Sequence, residues 1–336
     1  MRIGLNPHKD KPIDTTEYVH QVIIPVYVPN QEGYFKDSFK IFQVCLESLF
    51  STIHHKTFIT IVNNGSGAFI KGYLDDLFLK GKIQEVIHTE NIGKLNAILK
   101  GLAGNDIELA TISDSDVLFL PNWQSETARI FKEIPKAGVV GIVPQFKMYE
   151  ANCGNVIFDN LFNRKLKFIH VKNSEALIHF YDSIGWDRNY NQDYLAYNLG
   201  LEINPNLKVL IGSGHFVATY KKDIFEEITT FIPFKLGGIS EAYLDVAPLK
   251  KDYWRLTTYD NFAYHMGNTF EDWMETVPFQ DQAVECLYSN FRKNRKPNAL
   301  IYFIKNRLFV KFISIKVLVK LFLKWKKLPK EMIKKY

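Results

Sequence analysis

The run Leu109-Ala110-Thr111-Ile112-Ser113-Asp114-Ser115-Asp116-Val117-Leu118-Phe119-Leu120-Pro121 decides how the rest of the chain is read. Its first four residues make a mostly apolar run and read as a buried strand. Two carboxylates one residue apart follow at once, and a second apolar run closes on a proline. Carboxylates at the mouth of a buried strand suit a hard divalent cation, Mg²⁺ or Mn²⁺, which takes oxygen ligands and shares its shell with substrate phosphates. Asp114-Ser115-Asp116 is therefore the candidate cation site, although a solvated turn also produces such a tripeptide.

The segments on either side repeat a strand-then-helix pattern. Val22-Ile23-Ile24-Pro25-Val26-Tyr27 reads as a first buried strand. Phe39, Phe42, Leu46, Leu49 and Phe50 recur at helical spacing, and Phe58 to Val62 forms a second strand closed by Asn63-Asn64-Gly65-Ser66-Gly67. A helix through Leu77 leads to a third strand at Ile83 to Ile87. Asn91-Ile92-Gly93-Lys94-Leu95-Asn96-Ala97 then opens another helix. This alternation predicts an α/β fold with a Rossmann-like, mostly parallel central sheet flanked by helices, and such sheets bind ligands at the carboxyl ends of their strands. Asn63, Asn64, Lys94, Asp114 and Asp116 all fall there. Lys94, near a helix start, can set a cation beside a diphosphate.

These residues carry a resemblance. Val22 to Tyr27, Ile61 to Ser66, Asn91 to Ala97 and Asp114-Ser115-Asp116 resemble, in order and spacing over about the first 220 residues, the nucleotide-binding half of family-2 inverting glycosyltransferases of the GT-A fold. The resemblance implies that Pro25, Tyr27, Asn63, Asn64, Lys94, Asp114 and Ser115 contact a nucleotide-diphosphate sugar, with Asp114 near the ribose. It implies that Asp116, with Asp114, ligates the metal. Asn64 stands where the family usually has Asp, which leaves the base open, since an amide both accepts and donates.

Farther along, Gly138 to Val143 gives a fifth strand, and Phe168 to Val171 reads as another. Residues 145–208 otherwise show no legible role, Trp186 to Tyr190 being an aromatic, polar loop. Val209 to Tyr220 reads as one strand with a glycine-rich start, followed by a helix from Lys222. Small residues there let a substrate approach the backbone, so Gly212, Ser213 and Gly214 are donor-lining candidates, and His215 is read as structural. In Gly237 to Asp245, Ser240 is the predicted helix cap. Glu241 and Asp245, spaced i, i+4, share one helix face. Glycosyl transfer needs a base for the acceptor hydroxyl, and either carboxylate suits it, with Asp245 slightly preferred for lying deeper from the cap. His265 ends a short β-like run before Gly267-Asn268. The resemblance makes it the late histidine that ligates the metal or the leaving diphosphate.

Composition narrows the class. The chain has 336 residues, 46% hydrophobic and 14% aromatic, enough for a full core. Cys45, Cys153 and Cys286 are odd in number and widely spaced, which predicts neither disulfides nor zinc and fits a reducing cytosol. The amino-terminal residues lack the apolar core of a signal peptide. Residues 292–336 hold 15 Lys and Arg against one acidic residue, Glu331, while the net charge of the whole chain is +6, so the body is acidic and no nucleic-acid surface is expected on it. From residue 298, apolar and basic residues interleave. No apolar stretch approaches the ~20 residues a spanning helix needs. A stripe of Lys316, Lys320, Lys324 and Lys327 beside an apolar face predicts an amphipathic helical tail lying on an anionic membrane; the alternative is a helix packed on the body.

The expected organisation is 1–220 for the nucleotide sugar, 221–291 for acceptor and catalysis within the same domain, and 292–336 for the tail. The expected activity is metal-dependent, inverting transfer of a sugar to a glycan or lipid-linked acceptor, in surface polysaccharide or glycan assembly, on the inner face of the cell membrane. The alternatives are a non-catalytic nucleotide-sugar-binding or scaffold protein and a sugar nucleotidyltransferase. The latter wants a glycine-rich, basic loop after strand one, which Val28-Pro29-Asn30-Gln31 does not supply. A phosphatase would want Thr where Leu118 stands.

Overall fold

The computed structural model describes residues 4–13, 16–228, 230–276, 291 and 293–336; Cys286 lies outside them. The first half is a repeated strand-helix unit: β1 (His20–Val26), α1 (Ser38–Thr52), β2 (Thr57–Asn64), α2 (Ala68–Leu79), β3 (Glu85–Thr89), α3 (Lys94–Leu102) and β4 (Leu109–Ser113). Then come β5 (Val117–Phe119), α4 (Trp123–Glu133), β6 (Ala137–Gly141), α5 (Gly154–Asp159), β7 (Leu166–His170), α6 (Ser174–Ser183), β8 (Tyr197–Asn204), β9 (Leu207–Ile211), β10 (Val217–Lys221), α7 (Gly238–Lys250), β11 (Trp254–Thr258) and β12 (Ala263–His265).

Ten strands form one sheet in the order β3-β2-β1-β4-β10-β6-β11-β9-β8-β7. Seven of them run one way; β10, β9 and β7 oppose them. This is the α/β architecture with a mostly parallel central sheet flanked by helices that the sequence predicts. Strands β1 and β4 are buried throughout, so they read as continuous apolar runs rather than alternating ones. The chain winds outward from β1 to β2 and β3, then returns to the other side of β1 for β4. That reversal opens a crevice at the carboxyl ends of β1 and β4, where Asp114 and Asp116 follow.

Strand β5 leaves the main sheet and pairs antiparallel with β12, in the register Val117↔His265 and Phe119↔Ala263. Those three buried residues pack on α1, whose Ser48 hydroxyl accepts from the Phe119 N–H at 3.0 Å. This small ladder is what carries a residue near position 265 back to the aspartates.

Three local expectations are corrected. Val209 to Tyr220 is two strands, because Gly212 turns the chain at φ +98° and β10 crosses to a place between β4 and β6. The third strand begins at Glu85 rather than Ile83 and lies at the sheet edge, where an alternating pattern is weaker. Ser240 is not the cap: α7 starts at Gly238 after Gly237, and the Ser240 hydroxyl donates to the Gly237 carbonyl at 2.7 Å from inside the first turn.

The tail is helical through Ala299–Phe303, a wider turn at Ile304–Leu308, Phe309–Ile313 and Lys316–Trp325. Phe309, Phe322, Leu323 and Leu328 are buried against Leu166, Phe168, Leu199 and Leu201. Lys305 reaches Asp159 at 2.8 Å and Asp252 at 2.9 Å, and Lys326 donates to the Leu161 carbonyl at 2.7 Å. One face is thus packed on the body. The opposite face leaves Val317, Leu321 and Trp325, spaced i, i+4 and i+8, in solvent beside Lys316, Lys320 and Lys324. Among the described residues, no helix is long and apolar enough to cross a membrane.

Candidate functional site

Asp114 and Asp116 sit in the turn between β4 and β5. The Asp114 N–H donates to the Phe216 carbonyl at 2.8 Å, and the Asp116 carbonyl accepts from the Met266 N–H at 2.8 Å, so the backbone of the turn is anchored at both residues. Asp116 Oδ2 lies 3.5 Å from His265 Nε2, while its Oδ1 is withdrawn from solvent without a hydrogen-bond partner. Burial first, and the Asp114 charge with it, push the Asp116 carboxyl above its usual range, against the pull of His265. A buried carboxylate next to an imidazole, with one oxygen free of hydrogen bonds, is chemically suited to binding positive charge.

Lys94 supplies positive charge on the other side. It begins α3 directly after Gly93, whose φ of +89° and close approach to the Phe234 carbonyl leave no room for a side chain. The Lys94 N–H donates to the Lys235 carbonyl at 2.8 Å, which ties this helix start to the segment before α7. Its ammonium lies 2.6 Å from Asp114 Oδ1 and 3.4 Å from Glu241 Oε1. Burial works against that charge, but Asp114, then Glu241, hold Lys94 above its ordinary pKa.

From Glu241 the chain of charge continues. His215 Nε2 stands 3.0 Å from Glu241 Oε2, and His215 Nδ1 stands 3.8 Å from Asp245 Oδ1. Asp245 meets Arg255 Nη2 at 2.5 Å, and that guanidinium also donates to the Ser213 carbonyl at 2.6 Å. Three carboxylates and three cations therefore alternate from Asp114 to Arg255. His215 would be pushed down by burial, yet Asp245 and Glu241 raise it to about 9, and the His215 contact is the main reason Glu241 falls to about 2. The i, i+4 spacing did put Glu241 and Asp245 on one face, and both address His215.

Other predicted residues are placed as supports. Asn63 Oδ1 accepts from the Ser66 N–H at 2.9 Å, and Asn64 Oδ1 accepts from the Ile92 N–H at 2.9 Å, so both buried amides brace the loops at the ends of β2 and β3. Gly212 packs against the Met148 backbone and Gly214 against Gln145, with a Cβ leaving either in collision. Ser213 is buried, its hydroxyl on the Gly214 carbonyl at 2.7 Å. Pro25 is buried within β1; Tyr27, just beyond it, is exposed at the crevice. Ser115 lies part-buried between the two aspartates.

Three participants were passed over. His215 is not the bland structural histidine of the sequence reading but the link between two carboxylates. Arg255 was signalled only by being a cation in the buried strand Trp254–Thr258. Ser183, whose Oγ lies 2.9 Å from His265 Nδ1, had no signal at all.

Among the described residues, no group of three or more His, Cys, Asp or Glu stands at metal-binding geometry. The bare Asp116 oxygen and the facing His265 nitrogen nonetheless fit a cation that draws most of its ligands from phosphates and water, as Mg²⁺ does, and Mn²⁺ suits the same oxygen and nitrogen donors.

Residues 22–195 match the family described as Glycosyl transferase family 2. No curated protein matches the chain. Among solved structures, Staphylococcus aureus TarS 1–349 is 14% identical at a TM-score of 0.41, over 73% of this chain and 60% of that one. GalNAc-T7 with UDP, GalNAc and Mn²⁺ is 10% identical at 0.47, over 74% and 44%. The mannosyltransferase PcManGT from Pyrobaculum calidifontis, with GDP-Man and Mn²⁺, is 15% identical at 0.46, over 94% and 76%. Likenesses this distant say nothing of substrate or mechanism.

Proposed function

The chain belongs to glycosyl transferase family 2, and from that premise we propose that it moves a sugar from a nucleotide-diphosphate donor to an acceptor hydroxyl with inversion at the anomeric carbon. The observation that carries this is the pairing of Asp116 and His265 beside Lys94, at the carboxyl ends of β1 and β4. Asp116 and His265, with Asp114 nearby, would hold Mn²⁺ or Mg²⁺. When bound, that ion neutralises the negative charge that develops on the departing diphosphate. Lys94 adds a second positive charge from the protein itself.

Glu241 is the base in this reading. It lies within reach of Lys94 and hence of the aspartates, whereas Asp245 is turned away to the buried guanidinium of Arg255, which fixes its orientation. As the acceptor oxygen attacks the anomeric carbon, its proton passes to Glu241. The new glycosidic bond forms on the face opposite the breaking bond to phosphate, and the nucleoside diphosphate leaves. His215 and Lys94 keep Glu241 ionised beforehand, and a diphosphate that draws Lys94 toward itself makes Glu241 a stronger base.

The acceptor is proposed to be a glycan or lipid-linked hydroxyl at the inner face of a membrane. The support is the solvent-facing ridge Val317, Leu321 and Trp325 beside Lys316, Lys320 and Lys324, the pattern of a helix lying in an anionic interface. The reading is tested by incubating the purified protein with nucleoside diphosphates and their sugars, with and without Mn²⁺. A melting-point rise with one base, and release of that nucleoside diphosphate from its sugar, is expected. No shift and no release with any of them overturns it.

A further inference from the structure

We propose that Ser183 is a positioning residue for the cation site: it fixes His265 as the tautomer that carries hydrogen on Nδ1, so that Nε2 presents a lone pair beside Asp116. The inference rests on the reading of Asp116 and His265 as metal ligands and assigns a task to α6, which lies in the stretch of sequence with no legible role.

The argument is one of proton counting. The Ser183 hydroxyl has one hydrogen, and its Oγ lies 2.7 Å from the Phe180 carbonyl oxygen. A carbonyl can only accept, and two oxygens that close need a proton between them. The hydroxyl hydrogen is therefore committed to Phe180. Toward His265 Nδ1, 2.9 Å away, Ser183 can then only accept. Nδ1 carries the hydrogen, and the neutral ring is left with its lone pair on Nε2, the atom 3.5 Å from Asp116 Oδ2. Two acceptors face each other at a distance too long for a strong hydrogen bond. A cation between them would satisfy both.

The surroundings make the hydroxyl decisive. Phe180 and Phe216 meet the His265 ring edge to face, with centroids 6.1 Å and 5.4 Å away, and confine its plane without choosing a tautomer. The neighbouring backbone is also held. Met266 donates to the Asp116 carbonyl, and Gly267 approaches the Ser183 carbonyl so closely that an added Cβ would lie 2.9 Å from it. What remains unfixed by packing is which nitrogen bears the hydrogen, and Ser183 alone among the described contacts of Nδ1 decides it. Groups that orient a ligating histidine through its other nitrogen commonly change metal affinity 10–100-fold when removed.

Ser183→Ala and Ser183→Thr test this in the full chain, with Mn²⁺ as probe in the presence of a nucleoside diphosphate. Free Mn²⁺ is read by electron paramagnetic resonance, and the His265 tautomer by nitrogen-15 spectra of metal-free protein at alkaline pH, with His265→Asn to assign the signal. Ser183→Ala is expected to weaken Mn²⁺ binding about tenfold and to mix the tautomers, while Ser183→Thr, which keeps a hydroxyl, restores both. Wild-type His265 with hydrogen on Nε2, or Ser183→Ala binding Mn²⁺ as the wild type does, overturns the proposal and leaves the transferase reading standing. A wild type that binds no Mn²⁺ overturns the metal reading and this proposal together.

Discussion

The Nε2 of His215 lies 3.0 Å from Oε2 of Glu241, joining the loop after Gly214 to the first turn of α7. His215 is raised to about 9 from an ordinary value of 6.5, so its contribution to folding is complete below pH 6.5 and is lost as pH rises through about 9. Glu241 is lowered to about 2, so its contribution is present above pH 4.5 and is lost as pH falls through 2. His215→Ala should therefore lose roughly 1–2 kcal/mol of stability near pH 6, after allowance for partial exposure, and much less near pH 10. Denaturant unfolding at the two pH values measures the difference; an equal loss at both would show that the imidazolium is not what holds these elements.

Asp116 has the opposite relation to stability. Burial disfavours its charge in the metal-free fold, so Asp116→Asn should leave the melting point unchanged or raise it by about 2 °C. The same change should reduce sugar transfer by roughly 100-fold or more and abolish the melting-point rise that Mn²⁺ gives with a nucleoside diphosphate. Chelation of the wild type should remove that rise in the same way.

Glu241→Gln and Asp245→Asn separate the two candidate bases. The first should reduce transfer by about 100- to 10,000-fold while nucleotide binding persists. The second leaves the Arg255 guanidinium, buried and paired at 2.5 Å, without its carboxylate, and should appear mainly as a loss of stability of about 3–5 kcal/mol. Transfer rates normalised to folded protein decide between them, and a reversed pattern would make Asp245 the base.

Gly93→Ala places a Cβ 2.5 Å from the Phe234 carbonyl at a φ of +89°. The start of α3 must then shift and carry Lys94 with it. A stability loss of about 2–4 kcal/mol is expected, with weaker nucleoside-diphosphate binding, both read from one thermal titration.

On the tail, removing residues 298–336 uncovers the sheet face under Phe309, Phe322, Leu323 and Leu328 and so confounds adhesion with unfolding. Val317→Glu with Leu321→Glu acts on the exposed ridge alone and leaves Trp325, whose ring meets that of Phe162, in place. Binding to vesicles containing phosphatidylglycerol should fall at least tenfold, since each apolar side chain contributes about 1.5–3 kcal/mol on burial, with little change in melting point. Retained sedimentation with vesicles would argue that the tail serves the body only.

Strands β1, β2 and β4 were legible because they are buried on both faces and so spell nearly unbroken apolar runs, as Val22 to Val26 and Leu109 to Ile112 do, whereas β3 at the sheet edge was placed two residues early. The carboxylates at their ends stood out against that background for the same reason. Position 183 could not be read this way, because a serine at the end of an amphipathic helix looks like any other. Its importance comes from the partner it meets 82 residues away.

By itself the amino-acid order determined the strand-helix alternation, the place of Asp114 and Asp116 at a strand mouth, the shared face of Glu241 and Asp245, and the separation of a basic tail from an acidic body. These are properties of period and local composition, which short-range sterics and solvent exposure set. Only the tertiary structure decided that β5 and β12 pair, bringing His265 to Asp116, that His215 and Arg255 tie the carboxylates together, and that one face of the tail is already occupied by the sheet. Those outcomes depend on which distant surfaces fit and which charges lose their water together, and such energies exist only once the chain has closed on itself.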